Sequence, residues 1–303
     1  MAKFKSLPII LSLTILTIIF FHLDLTKFHT IFENLNFYWF GLGLFLFVPI
    51  YTLLACRLRY LTNRRLSLQS SLQIVLAGGA LNTILPSKGG DLGKAFFIKN
   101  HLDWGLAESS ALVVVERFMD LFALVILMIV GVLWMDSEYI HITIFALITG
   151  FVVLLTILMF FVVLRKNLIA PNAIRKVARL SVGITAFKNQ VERYSDWNLV
   201  PVFAGFCLSS WAIQLLQFYT FFMAVGYSGP PQTIFALIPV AVMFGLLPIT
   251  LAGIGTRDIV IITLFSPWAP VEQMAGLALL SHLRYVLPGI AGVPAVKNEI
   301  GRF

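Results

Sequence analysis

Ionisable side chains lie in the middle of an apolar segment in the first half of the sequence. Glu116, Arg117 and Asp120 all fall within the apolar run 112–132. With about 100° of rotation per residue, the two carboxylates share one face of a helix, and Arg117 lies close enough to reach either of them. Charges at bilayer depth cost at least ~2.5 kcal/mol each, so such residues mark a ligand pathway or a neutralised cluster that holds helices together. The sequence leaves both interpretations open, and one set of residues can serve both.

Two glycine-rich segments combine a permissive backbone with an acid and a base. They are Lys88-Gly89-Gly90-Asp91, before a predicted short helix over 92–99 that contains Lys94, and Gly253-Ile254-Gly255-Thr256-Arg257-Asp258, before a predicted helix over 257–265. The free N–H groups at a helix N-terminus, next to a Lys or an Arg, form a ready site for phosphate or carboxylate. Alternatively, the glycines only let the two halves of a hairpin pack closely.

The last apolar segment carries a cation without a local counter-ion. Arg284 and the neighbouring Tyr285 lie within 272–295, and no carboxylate lies within one helical turn of Arg284. The guanidinium therefore needs a partner from another part of the chain. The candidates are Glu116, Asp120, Asp258 and a substrate phosphate.

The segments that must position these residues belong to an integral membrane protein. Of the 303 residues, 59% are hydrophobic and 12% are charged, whereas a soluble domain carries roughly 25% charged residues. This composition excludes a soluble enzyme, and the net charge of +8 fits basic loops against anionic lipid rather than nucleic-acid binding. Cys56 and Cys207 lie in apolar stretches and give neither a disulfide framework nor a metal site, so no metal and no cofactor are expected.

The apolar segments predict an all-α, polytopic integral membrane protein with six full transmembrane helices in a single transmembrane domain, residues 1–303. A crossing needs about 20 apolar residues. The predicted spans are 7–23, 37–55, 106–134, 140–164, 199–225 and 272–295. The segments 68–103 and 232–270 are each interrupted by proline, glycine and charge, and the halves after the breaks are too short to span. We predict that these two segments form re-entrant helical hairpins.

The distribution of Lys and Arg sets the predicted orientation. If both hairpins enter the membrane and return, the N- and C-termini are cytoplasmic. The basic segment 165–193 then also lies inside, whereas 135–139 and 227–231 lie outside. A further cytoplasmic loop holds four arginines, Arg57, Arg59, Arg64 and Arg65.

The same arrangement predicts an inverted repeat with oppositely oriented hairpins. Residues 37–134 and 199–295 each consist of a span, a hairpin and a span, in opposite senses. Segment 165–198 between them has apolar residues at helical spacing among basic ones, which predicts an amphipathic linker helix on the cytoplasmic leaflet; the alternative is a plain basic loop. Broken helices in inverted repeats are typical of transporters. We expect the two tips, 89–91 and 253–258, to meet near the membrane centre.

Three short motifs occur in a fixed order along the chain. They are Pro86-x-x-Gly89-Gly90-Asp91-x-x-Lys94, Glu116-Arg117-x-x-Asp120 and Gly253-x-Gly255-x-Arg257-Asp258. Their order and spacing resemble the lysylphosphatidylglycerol synthetase transmembrane (flippase-like) family over nearly the whole chain. Lys94 stands where Arg is expected and Asp258 where Glu is expected; both keep the charge but change reach and geometry. The resemblance covers the membrane region of the bifunctional enzyme and not its aminoacyl-transferase domain, so lipid aminoacylation is not expected.

The resemblance implies the movement of a polar-headed lipid between leaflets, which makes a lipid flippase or translocator the leading function. The expected substrate is a membrane phospholipid or lipid-linked headgroup that is anionic, aminoacylated or glycosylated. Cations are expected to contact its phosphate, and carboxylates to neutralise them when the site is empty. The expected substrate-binding residues are Lys88, Gly89, Gly90, Asp91, Lys94, Glu116, Arg117, Asp120, Gly253, Gly255, Thr256, Arg257, Asp258, Arg284 and Tyr285.

Two other functions remain open at the level of sequence. An ion- or proton-coupled solute transporter suits an ionisable cluster at the midplane equally well. An intramembrane transferase acting on lipid-linked (polyprenyl) glycans would need a donor site, and no such motif is visible. We expect a prokaryotic plasma membrane as the location, no nucleic-acid partner, and a homodimer or a separate lipid-modifying enzyme as candidate protein partners.

Overall fold

The structure, a computed structural model, describes residues 3–21, 23–85, 89–135, 137–165, 178–194, 198–247, 250 and 253–301. Within these residues the chain forms thirteen α-helices and one short 3-10 helix, Ser137–Tyr139, with no strand. The predicted all-α fold is therefore confirmed. In chain order the helices are α1 (Lys3–Phe21), α2 (Leu25–Glu33), α3 (Phe37–Phe45), α4 (Phe47–Leu61), α5 (Leu68–Ile84), α6 (Gly89–Leu102), α7 (Leu106–Val132), α8 (Ile140–Arg165), α9 (Ala178–Tyr194), α10 (Val200–Ala224), α11 (Pro231–Leu246), α12 (Thr256–Phe265) and α13 (Val271–Ile300).

Four helical segments in the described part of the chain are long and apolar enough to cross a membrane. They are Phe37–Leu61, which combines α3 and α4, Ile140–Phe160 within α8, Val200–Ala224 and Val271–Ile300. They coincide with four of the six predicted spans, and the chain is an α-helical membrane protein. The other two predicted spans correspond to α1, whose apolar part is the shorter Ile10–Ile19, and to α7, whose 27 residues include four charged ones. Six crossings stay a prediction.

Each interrupted segment forms two helices with a break between them. Helices α6 and α12 are only about 21 and 15 Å long at 1.5 Å per residue, which is less than the ~30 Å of a hydrocarbon core. The predicted helix over 257–265 is α12, which begins one residue earlier, at Thr256. The prediction of 92–99 is too short, because α6 begins at Gly89 and ends at Leu102. Re-entry into the membrane stays a prediction.

Glycine allows the two halves of each interrupted segment to approach closely. A Cβ atom on Gly90 would lie 2.4 Å from both the backbone nitrogen of Asn82 and the backbone oxygen of Gly78. Gly253 has a φ of +78°, which favours glycine, and a Cβ atom there would lie 2.6 Å from the carbonyl oxygen of Gly245. These contacts support the interpretation in which the glycines serve hairpin packing.

Carboxylates cap the two helices that begin beside the charged residues. Glu108 accepts a hydrogen bond from the N–H of Gly105 at 2.9 Å, just before α7. Asp258 accepts one from the N–H of Gly255 at 2.9 Å, at the start of α12. Such bonds satisfy donors that the first turn of a helix leaves free. The cap also fixes the direction of the Asp258 side chain.

The interior of the molecule is built around α7, α10 and α13. Helix α13 packs along α5, while α7 packs against α6, α9, α10 and α11. Helix α9 is the described part of the predicted amphipathic linker; residues 166–177 and 195–197 lie outside the described residues. Its Val191 and Tyr194 are buried in the protein core, and Tyr194 Oη donates to the carbonyl of Leu61 at 3.2 Å. The end of this apolar face therefore contacts protein, where the sequence predicted contact with lipid.

Candidate functional site

A cavity of about 170 Å³ lies among α4, α5, α6, α7, α10, α11 and α13. Its wall brings charged and polar residues together from distant parts of the sequence. They are Tyr51, Arg57, Asn82, Asp91, Lys94, Arg117, Asp120, Trp211, Gln214 and Tyr285. Both interrupted segments contribute, because α5 and α6 supply Asn82, Asp91 and Lys94 while α11 supplies Val242 and Leu246.

Arg57 on α4 is the buried centre of a set of ion pairs at this cavity. Its side chain is 5% exposed. Its Nη1 donates to Asp120 Oδ1 at 2.6 Å and its Nη2 donates to Asp120 Oδ2 at 3.4 Å. Its Nε lies 3.3 Å from Glu116 Oε1, and Nη1 also contacts Cys207 Sγ at 3.3 Å. A single guanidinium thus ties α4 to α7 and α10.

The other two cations pair with carboxylates of α6 and α7. Lys94 Nζ donates to Glu116 Oε2. Arg117 Nε donates to Asp91 Oδ2 at 2.8 Å, and its Nη2 donates to Asp91 Oδ1. A looser contact of 3.9 Å joins Arg117 Nη1 and Asp120 Oδ2. Helices α6 and α7 are therefore held together by two ion pairs beside the cavity.

We call these six residues the ion-pair network: Arg57, Asp91, Lys94, Glu116, Arg117 and Asp120. It contains three basic and three acidic side chains, so their formal charges balance. Apart from the loose contact with Asp120, the principal partner of Arg117 is Asp91, and not the carboxylates of its own helix that the spacing places within reach. Those carboxylates bind Arg57 and Lys94 instead.

Arg57 was not among the residues that the sequence singled out, although its spacing carried a signal. It lies three residues after Leu54 and four before Leu61, on the side of α4 that holds the buried Ile50. Arg59, two residues on, is exposed. A cation in register with buried apolar positions points into the protein. The prediction of a loop position is wrong because α4 continues to Leu61.

A second set of charged residues lies next to Tyr285, which lines the cavity. The side chain of Arg257 is 1% exposed, and its guanidinium carbon lies 4.8 Å from the centre of the Tyr285 ring. Its Nη2 lies 3.6 Å from Asp258 Oδ1, and neither Nε nor Nη2 has a hydrogen-bond partner. Asp258 is engaged by His282 Nε2 at 2.8 Å and by the N–H of Gly255. Arg257 thus shares its carboxylate with two other groups.

Arg284 on α13 is a buried cation paired only with amides. Its Nε donates to Gln217 Oε1 at 2.8 Å and its Nη2 donates to Gln214 Oε1 at 2.7 Å. Its Nη1 has no hydrogen-bond partner, and the guanidinium carbon lies 4.2 Å from the centre of the Phe218 ring. Among the described residues no carboxylate forms an ion pair with it, so the predicted pairing is wrong for all three carboxylates: Glu116, Asp120 and Asp258. We call Arg257, Asp258 and Arg284 the cationic group.

The glycine-rich segments use part of their polar groups within the protein. The N–H of Gly255 is taken by Asp258, and the hydroxyls of Thr250 and Thr256 bond each other at 2.9 Å. Within the two predicted tips, Asp91 is the residue that lines the cavity. Arg257 does not line it but stacks on Tyr285, which does. Lys88 lies outside the described residues.

The charged groups fall within one region that is shared with other proteins. A family model described as the lysylphosphatidylglycerol synthase TM region matches residues 7–292. The chain belongs to this family. The UPF0104 membrane protein MJ1595 of Methanocaldococcus jannaschii is 26% identical to it over 258 residues, with 76% of this chain and 75% of that protein covered. No solved structure matches the chain at a significant level.

Membership of the lysylphosphatidylglycerol synthase TM-region family confirms the resemblance that the three motifs indicated. It also makes the chain a multi-pass membrane protein. The match begins in α1 and ends in α13, so it includes the ion-pair network, the cationic group and the cavity. Within the described ranges, no group of three or more His, Cys, Asp and Glu side chains is arranged to hold a metal ion.

Proposed function

We propose that this protein is a lipid flippase or translocator that moves a lipid with an anionic headgroup between the membrane leaflets. Headgroups that also carry an amino acid or a sugar belong to the same substrate class. Family membership and a polar cavity within an apolar chain support the proposal. The observation that carries it is an excess of positive charge beside the cavity.

This excess comes from the cationic group. It has two cations and one carboxylate, because Asp258 pairs with Arg257 whereas Arg284 donates to two glutamines. The ion-pair network is neutral, so within the described chain the two groups together hold five cations and four carboxylates. A buried cation without a counter-ion is unfavourable. An anionic headgroup in the cavity would therefore stabilise this side of the protein.

Unused hydrogen-bond donors support the same substrate class. Arg257 Nε and Nη2 and Arg284 Nη1 are buried without hydrogen-bond partners. Guanidinium groups match the geometry of phosphate oxygens, and charged hydrogen bonds are about twice as strong as neutral ones. Tyr285, which stacks on Arg257, and Gln214, which accepts a hydrogen bond from Arg284, both line the cavity. A rearrangement of those two side chains would bring the donors to a phosphate.

We further propose an orientation for the chain in a prokaryotic plasma membrane. Both termini are cytoplasmic, six helices cross, and the two interrupted segments re-enter from opposite faces as parts of an inverted repeat. The distribution of Lys and Arg and the short lengths of α6 and α12 support this orientation. In it, the headgroup passes the membrane centre through the cavity while the acyl chains stay in apolar surroundings. A separate lipid-modifying enzyme would supply the substrate.

A proteoliposome assay tests the proposed function. Purified protein is reconstituted with lipids that carry labelled anionic, zwitterionic or glycan-linked headgroups, and the label exposed in the outer leaflet is followed over time. Anionic lipids should move fastest. Arg284→Gln should lower their initial rate about tenfold, equivalent to ~1.4 kcal/mol. Lys297→Gln is the matched control, because it removes one positive charge from an exposed position on the same helix.

Four outcomes would count against the proposal. Equal movement of all headgroups would remove the selectivity for anions, and equal rates for Arg284→Gln and Lys297→Gln would remove the role of the cationic group. Ion or proton flux without lipid movement would favour a solute transporter, and chemical change of a lipid-linked glycan would favour a transferase.

A further inference from the structure

An apolar groove of about 330 Å³ lies between α6 and α7. Leu92 and Ala95 line it from α6, and Val113, Val114 and Phe118 line it from α7. Leu92 is 72% exposed. The groove is therefore open to the surroundings of the helix bundle, which in a membrane are lipid acyl chains.

The groove ends at one ion pair. Asp91 and Arg117 line the groove and also line the polar cavity. Their side chains are 19% and 40% exposed, whereas those of Arg57, Glu116 and Asp120 are 7% exposed or less. The boundary between groove and cavity is thus the most accessible ion pair of the network.

We propose that the groove holds an acyl chain of the transported lipid and that the Asp91–Arg117 pair is the lateral gate to the cavity. This inference rests on the proposed function. An apolar compartment and a polar compartment that share a boundary fit a molecule with an apolar chain and a polar head. A small inorganic ion would gain no favourable contact from an apolar groove.

Both members of the gate have other partners when they separate. Arg117 Nη1 already lies 3.9 Å from Asp120 Oδ2, and Asn82 Nδ2 donates to Asp91 Oδ1 at 3.1 Å. A phosphate that arrives along the groove can replace Asp91 as the partner of Arg117. Such an exchange leaves Arg117 paired with the phosphate and Asp91 hydrogen-bonded to Asn82, so neither charged group is left without a polar partner when the gate opens.

Reversible blocking of the groove tests the proposal on folded protein. Val114→Cys is made in a background in which the partly exposed Cys56 is replaced by alanine, and Cys207, which is buried, is kept. The protein is reconstituted in vesicles of phosphatidylcholine with fluorescent phosphatidylglycerol and treated with a bulky methanethiosulfonate reagent. Val152→Cys on α8, whose native side chain is 53% exposed, is the matched control.

Modification of Val114→Cys should slow the movement of phosphatidylglycerol at least tenfold, and reduction of the mixed disulfide should restore it. The control should change less than twofold. Equal rates in the two modified variants would overturn the inference while leaving the proposed function intact. A Val114→Cys thiol that does not react would also overturn it, because another segment or a second copy of the chain would then cover the groove. No lipid movement in the unmodified protein would overturn both.

The ion pair itself gives an independent measurement. Arg117→Gln removes the charge that meets the phosphate at the gate, so the movement of phosphatidylglycerol per folded molecule should slow at least tenfold. Lys99→Gln on α6, which removes one positive charge outside both the groove and the cavity, is the matched control and should change the rate less than twofold. Equal rates for the two variants would overturn the assignment of the pair as a gate.

Discussion

Arg57 joins three helices through one buried guanidinium. Arg57→Ala would leave Glu116 and Asp120 with less positive charge in a site that is almost closed to solvent. Breaking a buried ion pair from one side costs about 3–5 kcal/mol, so the yield of folded protein and the thermal midpoint in detergent should both fall. Arg59→Ala, on an exposed face of the same helix, should change stability by no more than about 0.5 kcal/mol. Equal midpoints for the two variants would contradict the central position of Arg57.

The surroundings of Arg117 lead to a different expectation. Its side chain is 40% exposed and its main partner, Asp91, is also partly exposed. Arg117→Ala should therefore destabilise the protein less than Arg57→Ala does, as measured by thermal unfolding in the same detergent. The reverse order would show that the Asp91 pair between α6 and α7 contributes more to stability than the Arg57 pairs between α4 and α7.

Arg257 combines complete burial with unused donors, which favours a role in ligand binding. Arg257→Lys keeps the charge but loses the planar fork and its stacking on Tyr285. Transport per folded molecule should drop about tenfold, or ~1.4 kcal/mol, while the thermal midpoint changes little. The rate is measured in proteoliposomes after correction for the folded fraction. Full activity in both Arg257→Lys and Arg257→Ala would place this residue in the structural framework.

For individual residues, the sequence predicted burial better than it predicted which side chains form ion pairs with one another. The apolar surroundings of Glu116 and Asp120 were enough to predict their burial. Their partners depend on contacts between distant parts of the chain, such as the 63 residues that separate Arg57 from Asp120. Local spacing favoured Arg117 as the partner, because i,i+3 and i,i+4 neighbours are all that a single helix can show.

The α5–α6 pair depends on a glycine with no room for a side chain. A Cβ atom on Gly90 would lie 2.4 Å from backbone atoms of Asn82 and Gly78, which cannot move aside as a flexible side chain can. Gly90→Ala should lower the free energy of unfolding by about 1–3 kcal/mol. Gly205→Ala on α10 has open space around it and should be neutral or slightly stabilising, because alanine favours a helix. Similar thermal midpoints for the two variants would contradict this packing.

The elements show why helix breaks are easier to predict than helix starts. Proline, glycine and charge at 86–91 and 248–258 indicated both interruptions correctly. These residue types did not predict where α6 starts. Glycine disfavours a helix in isolation, whereas the tight contact with α5 requires a glycine at position 90. Tertiary packing therefore added a turn that local propensity would not have predicted.

The proposed orientation makes a prediction for the whole molecule. Single cysteines at Arg65, Glu138, Thr185 and Ser228, all exposed in the fold, are placed in a background with Cys56 replaced. A membrane-impermeant thiol reagent applied to intact cells should label the cysteines at 138 and 228. Those at 65 and 185 should react only after the membrane is permeabilised. Labelling of 65 or 185 from outside would overturn both the orientation and the inverted repeat.

Composition and motif order were sufficient for the membrane class and the family, because both are properties of the whole chain. The orientation and the number of crossings depend on the bilayer as well as on the chain, so packing alone does not fix them. The four long apolar helices carry a clear signal of their own. Helix α7 lacks such a signal, because its charged residues, most of which belong to the ion-pair network, lower its mean hydropathy.

The excess cation beside the cavity has a consequence for the driving force. In a transport cycle the empty protein carries one uncompensated positive charge, and the form loaded with a monoanionic lipid carries none. Only the step in which the empty protein changes orientation therefore responds to voltage. Moving one charge across the whole field is worth about 2.3 kcal/mol per 100 mV. A membrane potential that is negative inside would then hold the empty cavity open toward the cytoplasm. The potential would thereby favour loading from the inner leaflet without acting on the lipid itself.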